Sequence, residues 1–113
     1  FGDFHCVARL GGEEFGVIVC GGARKDRVAL IEMARIRVAC LSVNFEGNLL
    51  QTTVSVGIAE IDPSRSKHDT FALADKALYI AKAAGRNRLC HGDGPFARME
   101  RNDTVGMALQ AAS

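Results

Sequence analysis

Near its amino terminus the chain contains two short runs in which apolar and polar residues loosely alternate. The runs His5–Leu10 and Phe15–Cys20 are rich in apolar and β-branched residues, and a period of two is typical of half-buried strands. Gly11 and Gly12 stand between them, and glycine adopts the positive φ angles of a tight turn without steric cost. The pattern therefore predicts a β-hairpin closed by a Gly-Gly turn.

Two later stretches have the periodicity of helices. An amphipathic helix is predicted over Ala23–Leu41, because apolar residues recur there at three- and four-residue steps. Its inward positions are Leu30, Ile31, Ala34, Val38 and Leu41. Its charges are expected to face solvent: Arg24, Lys25, Arg27, Glu32 and Arg35. A second helix is predicted over Phe71–Ala84, with Asp69 or Thr70 as N-cap and Gly85 as C-cap. Its inward positions are Leu73, Ala77, Ile80 or Ala81, and Ala84.

The remaining segments predict strands, turns and a tail. Asn44–Asn48 has the turn residues of a hairpin or a loop. Leu50–Ile61 alternates most clearly, with apolar Val54, Val56 and Ile58 on one side and small Thr53, Ser55, Gly57 and Ala59 on the other. Such a small-residue side allows a helix or a ligand to pack closely. Arg86–Cys90 predicts a short final strand, and residues 92–113 predict a linker followed by a weak helix.

Composition narrows the classes of function. The chain has 113 residues, of which 48% are hydrophobic and 24% charged, as expected of one globular domain. A net charge of +1 argues against coating a nucleic acid or a membrane surface. No apolar run reaches the ~20 residues of a membrane span. The cysteines lack C-x-x-C spacing, which favours buried thiols in a reducing cytoplasm over a metal cluster: Cys6, Cys20, Cys40 and Cys90.

Two groups of residues are candidates for chemistry. Two adjacent acids, Glu13 and Glu14, directly follow the glycines of the first hairpin, although solubilising glutamates at a hairpin tip would give the same pattern. Lys82 and Arg86 flank the end of the second helix, where the helix dipole also favours cations. Both groups therefore have a structural explanation beside the functional one.

Together, three segments resemble the GGDEF family of diguanylate cyclases. They are Arg9–Phe15, Thr53–Ala59 and Ala74–Arg88, in this order, and the family motif has the form Gly-Gly-Glu-Glu-Phe here. The resemblance covers about residues 4 to 90. It implies an α+β fold with the ferredoxin-like antiparallel sheet and helices of nucleotidyl cyclases. It also implies a partial GGDEF domain over residues 1–91, which lacks its first strand and helices, and a C-terminal extension or linker over residues 92–113.

The resemblance implies roles for the candidate residues. The reaction joins two GTP molecules into cyclic di-GMP, and it requires Mg²⁺ or Mn²⁺ as well as positive groups on the triphosphate. Glu13 matches the metal ligand nearest the attacking hydroxyl, and Glu14 is the second motif acid. Four further residues match positions around the GTP phosphates, the first two through backbone amides: Gly11, Gly12, Lys82 and Arg86.

Neighbouring motif positions are given lesser roles. Asp75 is expected to be structural, holding a nearby backbone group or an arginine, and Asn87 and Arg88 are treated in the same way. Arg9 is a candidate for positioning the turn or a phosphate. The family's product-inhibition motif would fall on Gly2 and His5, and neither residue matches it, so inhibition through that site is not expected.

Some family residues would lie upstream of Phe1. These are an acid on a central strand that shares the metals, and an Asn and an Asp that bind guanine. Without them, the chain alone is expected to be inactive, with a gap in its sheet that stays open or takes a strand from another copy.

The leading hypothesis is part of an active, homodimeric, cytoplasmic diguanylate cyclase, whose parent protein can be membrane-anchored and fused to sensory or phosphodiesterase domains. The alternative is a degenerate GGDEF domain that binds GTP or dimerises to regulate an attached phosphodiesterase. A third hypothesis is a ferredoxin-like interaction module with an accidental acidic turn. No contact of this chain with nucleic acid or membrane is expected.

Overall fold

The computed structural model describes residues 6–20, 23–92 and 107–112, which form strands and helices in mixed order. In chain order the elements are β1 (Cys6–Gly11), β2 (Glu14–Val19), α1 (Arg24–Cys40), β3 (Val43–Phe45), β4 (Asn48–Leu50), β5 (Ser55–Glu60), α2 (Lys67–Ala83), β6 (Leu89–His91) and β7 (Met107–Ala112). The α+β class is confirmed. Within the described ranges, neither helix combines the length and the apolar character that a bilayer crossing requires.

Five strands form one sheet in the order β1-β2-β7-β5-β6, while β3 and β4 pair separately. The β1–β2 pair is antiparallel, as the predicted hairpin requires, and the β2–β7 and β7–β5 pairs are antiparallel as well. The β5–β6 pair is parallel, which corrects the prediction of a wholly antiparallel sheet. The physical reason is that α2 connects these two strands as a crossover helix, and such a connection returns the chain in the same direction.

The central strand β7 contradicts the prediction for the tail. Residues 92–113 were expected to form a linker and a weak helix, but Met107–Ala112 pairs with β2 on one side and β5 on the other. Both neighbours present backbone N–H and C=O groups that need partners, so the tail becomes a strand. The expected gap in the sheet is thus filled by the same chain. Positions 93–106 and 113, and Gly2 and His5, lie outside the described residues.

The core lies between α1 and one face of the sheet. Ile31 of α1 is 2% exposed and packs with Val17, Val19, Val56 and Ile58. The predicted helix over Ala23–Leu41 is confirmed to within one residue at each end. Leu41 was predicted to face inward, but it is 57% exposed because the helix has already ended there.

Arg27 was expected to face solvent, and this prediction is wrong. Its guanidinium is buried and lies 3.4 Å from Glu60 at the end of β5. Arg24 lies at the same distance from the other carboxylate oxygen and contacts His91 Nδ1. The reason is that Glu60 ends β5 on the α1 side, so it attracts the arginines that begin this helix.

The opposite face of β5 is covered closely by α2. A Cβ added at Gly57 would lie 2.1 Å from the Ala74 carbonyl oxygen and 2.4 Å from the Leu78 nitrogen. The predicted small-residue face is therefore confirmed as a helix-packing face. The buried small residues of α2 are Ala74, Ala77 and Ala81, whereas Ala84, predicted inward, is exposed at the C-cap.

Both ends of α2 differ in detail from the sequence prediction. The N-cap is Ser66, whose Oγ accepts a hydrogen bond from the Asp69 N–H at 3.0 Å, instead of Asp69 or Thr70. The helix therefore starts at Lys67. Beyond the C-cap Ala84, Gly85 has φ of 122°, in agreement with its predicted positive φ. The final strand begins only at Leu89.

The segment between the helices contains the predicted hairpin, β3–β4, whose six residues are all exposed. The predicted strand over Leu50–Ile61 is divided, because Leu50 pairs in β4 and only Ser55–Glu60 forms β5. The prediction of buried thiols is wrong for Cys40, which is exposed near the end of α1. Cys20 and Cys90 are half-buried.

Candidate active site

The motif turn joins β1 to β2. Gly11 pairs with Glu14, so Gly12 and Glu13 form the turn, one residue later than the predicted Gly11-Gly12 turn. Gly12 has φ of 53°, which favours glycine. A Cβ at either glycine would meet no atom within 4 Å, so the space over the turn is open to a ligand. Arg9 Nε donates to the Gly12 carbonyl at 3.0 Å, which agrees with the predicted role of positioning the turn.

The two motif acids differ in solvent exposure. Glu13 is exposed in the turn, and Glu14 is half-buried at the start of β2. Because side chains alternate along a strand, Glu14 and Ile18 lie on one face of β2. Residues of α2 line cavities together with both of these side chains, so this is the face that α2 covers. The acid Glu14 therefore faces the helix that carries Lys82.

Glu14 and Lys82 line the same cavity of about 350 Å³. The other lining residues, all from α2, are Asp75, Lys76, Leu78 and Tyr79. Of the six site residues predicted from the sequence, the structure brings these two together in one cavity. Gly11, Gly12, Glu13 and Arg86 do not line it.

Arg86 nevertheless lies near the same strand ends as the motif turn. The strands β2 and β5 begin at the same end of the sheet, because Phe15 and Ser55 pair with the adjacent residues Ala111 and Ala112 of β7. The Asn87 N–H donates to Ser55 Oγ at 3.2 Å, which holds the loop after α2 at that level. The motif turn and the Arg86 loop thus lie at the same end of the sheet, beside the starts of β2 and β5 respectively.

The polar residues of the cavity have no partners within the protein as far as the structure describes it. In residues 6–20, 23–92 and 107–112, no hydrogen bond or ion pair involves the side chains of Asp75, Lys76, Tyr79, Lys82 or Glu14. Among the described residues, Asp75 contacts neither the backbone group nor the arginine that was predicted for it, so that role stays a prediction. It is exposed because it lies on the side of α2 that faces the cavity. Lys76 and Tyr79 were not among the predicted site residues, and their places in the cavity follow from how α2 packs on the sheet.

The loop after α2 is held by α1. Arg35 donates to the Asn87 carbonyl at 3.1 Å and to Asn87 Oδ1 at 2.6 Å. The same guanidinium bonds both carboxylate oxygens of Glu32, which lowers the pKa of Glu32 and raises the pKa of Arg35. The predicted structural role of Asn87 is confirmed. Arg88 Nε bonds the Arg86 carbonyl at 3.1 Å, as expected of a structural residue.

The motif acids suit a hard divalent cation. Among the described side chains, no three histidines, cysteines or acids lie close enough together to hold a metal ion. Magnesium, however, is commonly held by one or two carboxylates, with waters and substrate phosphates completing its shell. The exposed carboxylate of Glu13, beside an open turn, fits this kind of binding.

Comparison with known proteins identifies the class to which this fold and site belong. The family model described as "Diguanylate cyclase, GGDEF domain" matches residues 2–88. The chain therefore belongs to the GGDEF domain family of diguanylate cyclases.

Individual relatives agree with this class. The chain is 39% identical over 83 residues to diguanylate cyclase DgcP of Pseudomonas aeruginosa and 37% identical over 83 residues to diguanylate cyclase DgcM of Escherichia coli. It is 35% identical over 84 residues to diguanylate cyclase A of Treponema denticola. Each match covers 74% of this chain but only 12%, 20% and 23% of these relatives, respectively. No solved structure matches the chain significantly.

Proposed function

We propose that the protein carrying this chain is a diguanylate cyclase that condenses two GTP molecules into cyclic di-GMP and releases pyrophosphate. The observation that carries the proposal is the cavity shared by Glu14, the residue that directly follows the motif turn, and Lys82, near the end of α2. An acid and a cation that face each other across an open cavity suit a ligand with both hydroxyl groups and phosphates. Membership of the GGDEF family favours GTP as that ligand.

In the proposed reaction, the ribose 3′-hydroxyl of each GTP attacks the α-phosphorus of the other GTP. In each of the two attacks a P–O bond forms, the bond to the β-phosphate breaks, one pyrophosphate leaves, and the hydroxyl proton passes to solvent. Lys82 and Arg86 hold the β- and γ-phosphates, so they orient the leaving pyrophosphate and offset its negative charge. The amides of Gly11 and Gly12 contact phosphate oxygens across the open turn.

Glu13 and Glu14 act on the attacking hydroxyl and the metal. Glu13 lies nearest the attacking hydroxyl and holds Mg²⁺ or Mn²⁺, and Glu14 assists from the cavity wall. When bound, the metal offsets charge on the phosphates and favours ionisation of the hydroxyl. Each domain holds one GTP, so two copies meet face to face and the active form is a homodimer.

The proposal includes the fold and the setting of the domain. A ferredoxin-like sheet, as in nucleotidyl cyclases, is supported by the antiparallel order β1-β2-β7-β5 with helices packed on it. Residues 1–91 contribute the GGDEF part of this chain, and the isolated chain is inactive because none of its residues is assigned to guanine or to a second metal contact. The domain acts in the cytoplasm, and fused sensory or phosphodiesterase domains control it.

A second candidate is a GGDEF domain that regulates an attached phosphodiesterase without making cyclic di-GMP. The sequence of the central strand favours it, because Met107–Ala112 contains no carboxylate that could join Glu13 at a metal. Under this alternative the protein binds GTP but forms no product.

Incubation of the intact parent protein with GTP and Mn²⁺ tests the proposal. Cyclic di-GMP is expected by chromatography, and Glu13→Gln is expected to abolish it. The control Glu46→Gln makes the same charge change in the turn of the β3–β4 hairpin and is expected to keep full activity. Equal activity in both variants would refute the role of Glu13. GTP binding without product in the unmodified protein would favour the regulatory candidate.

A further inference from the structure

The loop that follows α2 has an unusual backbone. Gly85, Arg86 and Asn87 have φ angles of 122°, 64° and 47°. The left-handed region is sterically unfavourable for a non-glycine residue, although asparagine tolerates it better than most. Such a conformation persists only when contacts from outside the loop hold it.

Arg35 of α1 supplies two of them through one nitrogen. Its terminal nitrogen donates both to the Asn87 carbonyl and to Asn87 Oδ1, at 3.1 and 2.6 Å. Its other two nitrogens bond the two carboxylate oxygens of Glu32, one helical turn earlier. The guanidinium is therefore fixed by its own helix and presents its remaining edge to the loop.

A third contact comes from the sheet. The Asn87 N–H donates to Ser55 Oγ, and Ser55 is fully buried at the start of β5. Asn87 is thus held from α1 by its carbonyl and side chain, and from β5 by its amide. Since Arg86 is the preceding residue, the direction in which its side chain leaves the backbone is set by these bonds.

We propose that Arg35 is a positioning residue that fixes the Arg86 loop and thereby sets the affinity for the terminal phosphates of the nucleotide. The inference rests on the proposed function, because it takes Arg86 to contact those phosphates. Holding the loop before the ligand arrives lowers the conformational entropy that binding would otherwise cost. Arg35 itself acts through Asn87 and does not contact the nucleotide.

The bonding pattern requires the shape of an arginine and not only its charge. A guanidinium has five N–H donors in a planar fork, whereas a lysine ammonium is a point charge on a flexible stem. Lysine at position 35 cannot bond Glu32 at both oxygens and Asn87 at both acceptors. Arg35→Lys therefore keeps the positive charge of the side chain but loses the hydrogen bonds that position the loop.

Calorimetric titration of the intact parent protein tests the inference. The ligands are GMP and a GTP analogue with a methylene bridge between the α- and β-phosphates. For Arg35→Gln and Arg35→Lys, the affinity for the analogue is expected to fall about threefold to tenfold, as when one hydrogen-bonded contact is lost. Binding of GMP is expected to stay constant. Arg37→Gln, an exposed arginine in the last turn of α1, is the matched control and is expected to bind the analogue as the unmodified protein does.

A double variant separates this inference from the proposed function. If Arg35 acts through Arg86, adding Arg35→Gln to Arg86→Gln is expected to weaken analogue binding no further. Asn87→Gly provides a second route, because glycine keeps the positive φ while the side chain whose Oδ1 accepts from Arg35 is lost. It is expected to weaken binding as Arg35→Gln does.

Three results would overturn the inference. Normal binding in Arg35→Gln, Arg35→Lys and Asn87→Gly, with weak binding in Arg86→Gln, would do so and leave the proposed function intact. Normal analogue binding in Arg35→Lys together with weak binding in Arg35→Gln would show that the charge of Arg35, and not its hydrogen-bonding shape, determines the affinity. Normal binding in Arg86→Gln would remove the phosphate contact itself, and both the inference and that part of the proposed function would fail.

Discussion

At the scale of single residues, Gly57 decides how closely α2 can approach the sheet. The position of a Cβ at Gly57 lies 2.1 Å from a backbone oxygen and 2.4 Å from a backbone nitrogen of α2. Neither atom can move without the whole helix. At Gly12 the space for a Cβ is open, so packing does not require glycine there. Its φ of 53° favours glycine instead.

Gly57→Ala is therefore expected to destabilise the protein by about 1–3 kcal/mol, the usual cost of overpacking, or more if α2 detaches. Urea unfolding followed by circular dichroism measures this change. Gly12→Ala is the comparison, expected to cost about 1–2 kcal/mol through backbone strain without altering the packing of α2. An unfolding free energy for Gly57→Ala equal to that of the unmodified protein would contradict the packing described here.

The contrast between Gly57 and Arg27 shows what a residue pattern can predict. The small face of β5 was predictable because strand alternation assigns Gly57 to a face from its near neighbours alone. The burial of Arg27 was not predictable, because its partner Glu60 lies 33 residues away on a strand. A charged residue on a helix is expected at the surface unless a distant carboxylate is known to meet it.

At the scale of elements, the start of α2 depends on a cap that the apolar pattern did not identify. Ser66 accepts a hydrogen bond from the Asp69 N–H, and the first turn, Lys67–Thr70, is entirely polar. Apolar periodicity begins only at Phe71, so the sequence pattern placed the start four residues too late. The position of an N-cap follows from backbone hydrogen bonding and not from hydrophobicity.

Ser66→Ala is expected to lower the free energy of unfolding by about 1 kcal/mol, the typical loss for an N-cap serine. Thermal unfolding gives this value. Ser64→Ala is the matched control, since Ser64 is an exposed serine outside the helix whose backbone N–H, not its hydroxyl, donates a hydrogen bond to Asp62 Oδ1. Identical melting of the two variants would show that Ser66 does not cap α2.

The strand β7 is the element that sequence reasoning missed. Met107–Ala112 is rich in alanine and contains methionine and leucine, all good helix formers, and it does not alternate apolar with polar residues. Its strand conformation comes from pairing with β2 and β5, which lie far away in the chain. Tertiary pairing of this kind overrides local propensity.

At the scale of the whole molecule, β7 joins two parts of the sheet. The β1–β2 hairpin hydrogen-bonds to the remainder of the sheet only through β7, as far as the described strands show. Without β7, one edge of β2 and one edge of β5 would present unpaired backbone groups, which attract strands of other molecules.

Deletion of residues 107–113 from the 113-residue chain is therefore expected to cause self-association or loss of cooperative unfolding. Size-exclusion chromatography with light scattering measures the association state. Deletion of Ser113 alone shortens the chain without removing the strand and is the control. A truncated chain that stays monomeric and melts like the control would contradict the central role of β7.

The candidate site also extends beyond what one motif predicts. The resemblance assigned Glu14 and Lys82 separately, and their common cavity depends on how α2 crosses the sheet. The packing of α2 on Gly57 determines this crossing, so it also brings Asp75, Lys76 and Tyr79 to the same cavity. Arg35 was expected only to face solvent, because its partner Asn87 lies 52 residues away.

The central claim is that the motif turn and the end of α2 are two walls of one binding site for the GTP phosphates. Titration of the intact parent protein with GMP and the methylene-bridged GTP analogue tests it most directly, in Lys82→Gln and in the control Lys25→Gln on the surface of α1. We expect Lys82→Gln to weaken analogue binding about tenfold, the loss of one hydrogen bond to a charged group, and to leave GMP binding unchanged. The same affinity for the analogue in Lys82→Gln and Lys25→Gln would contradict the claim.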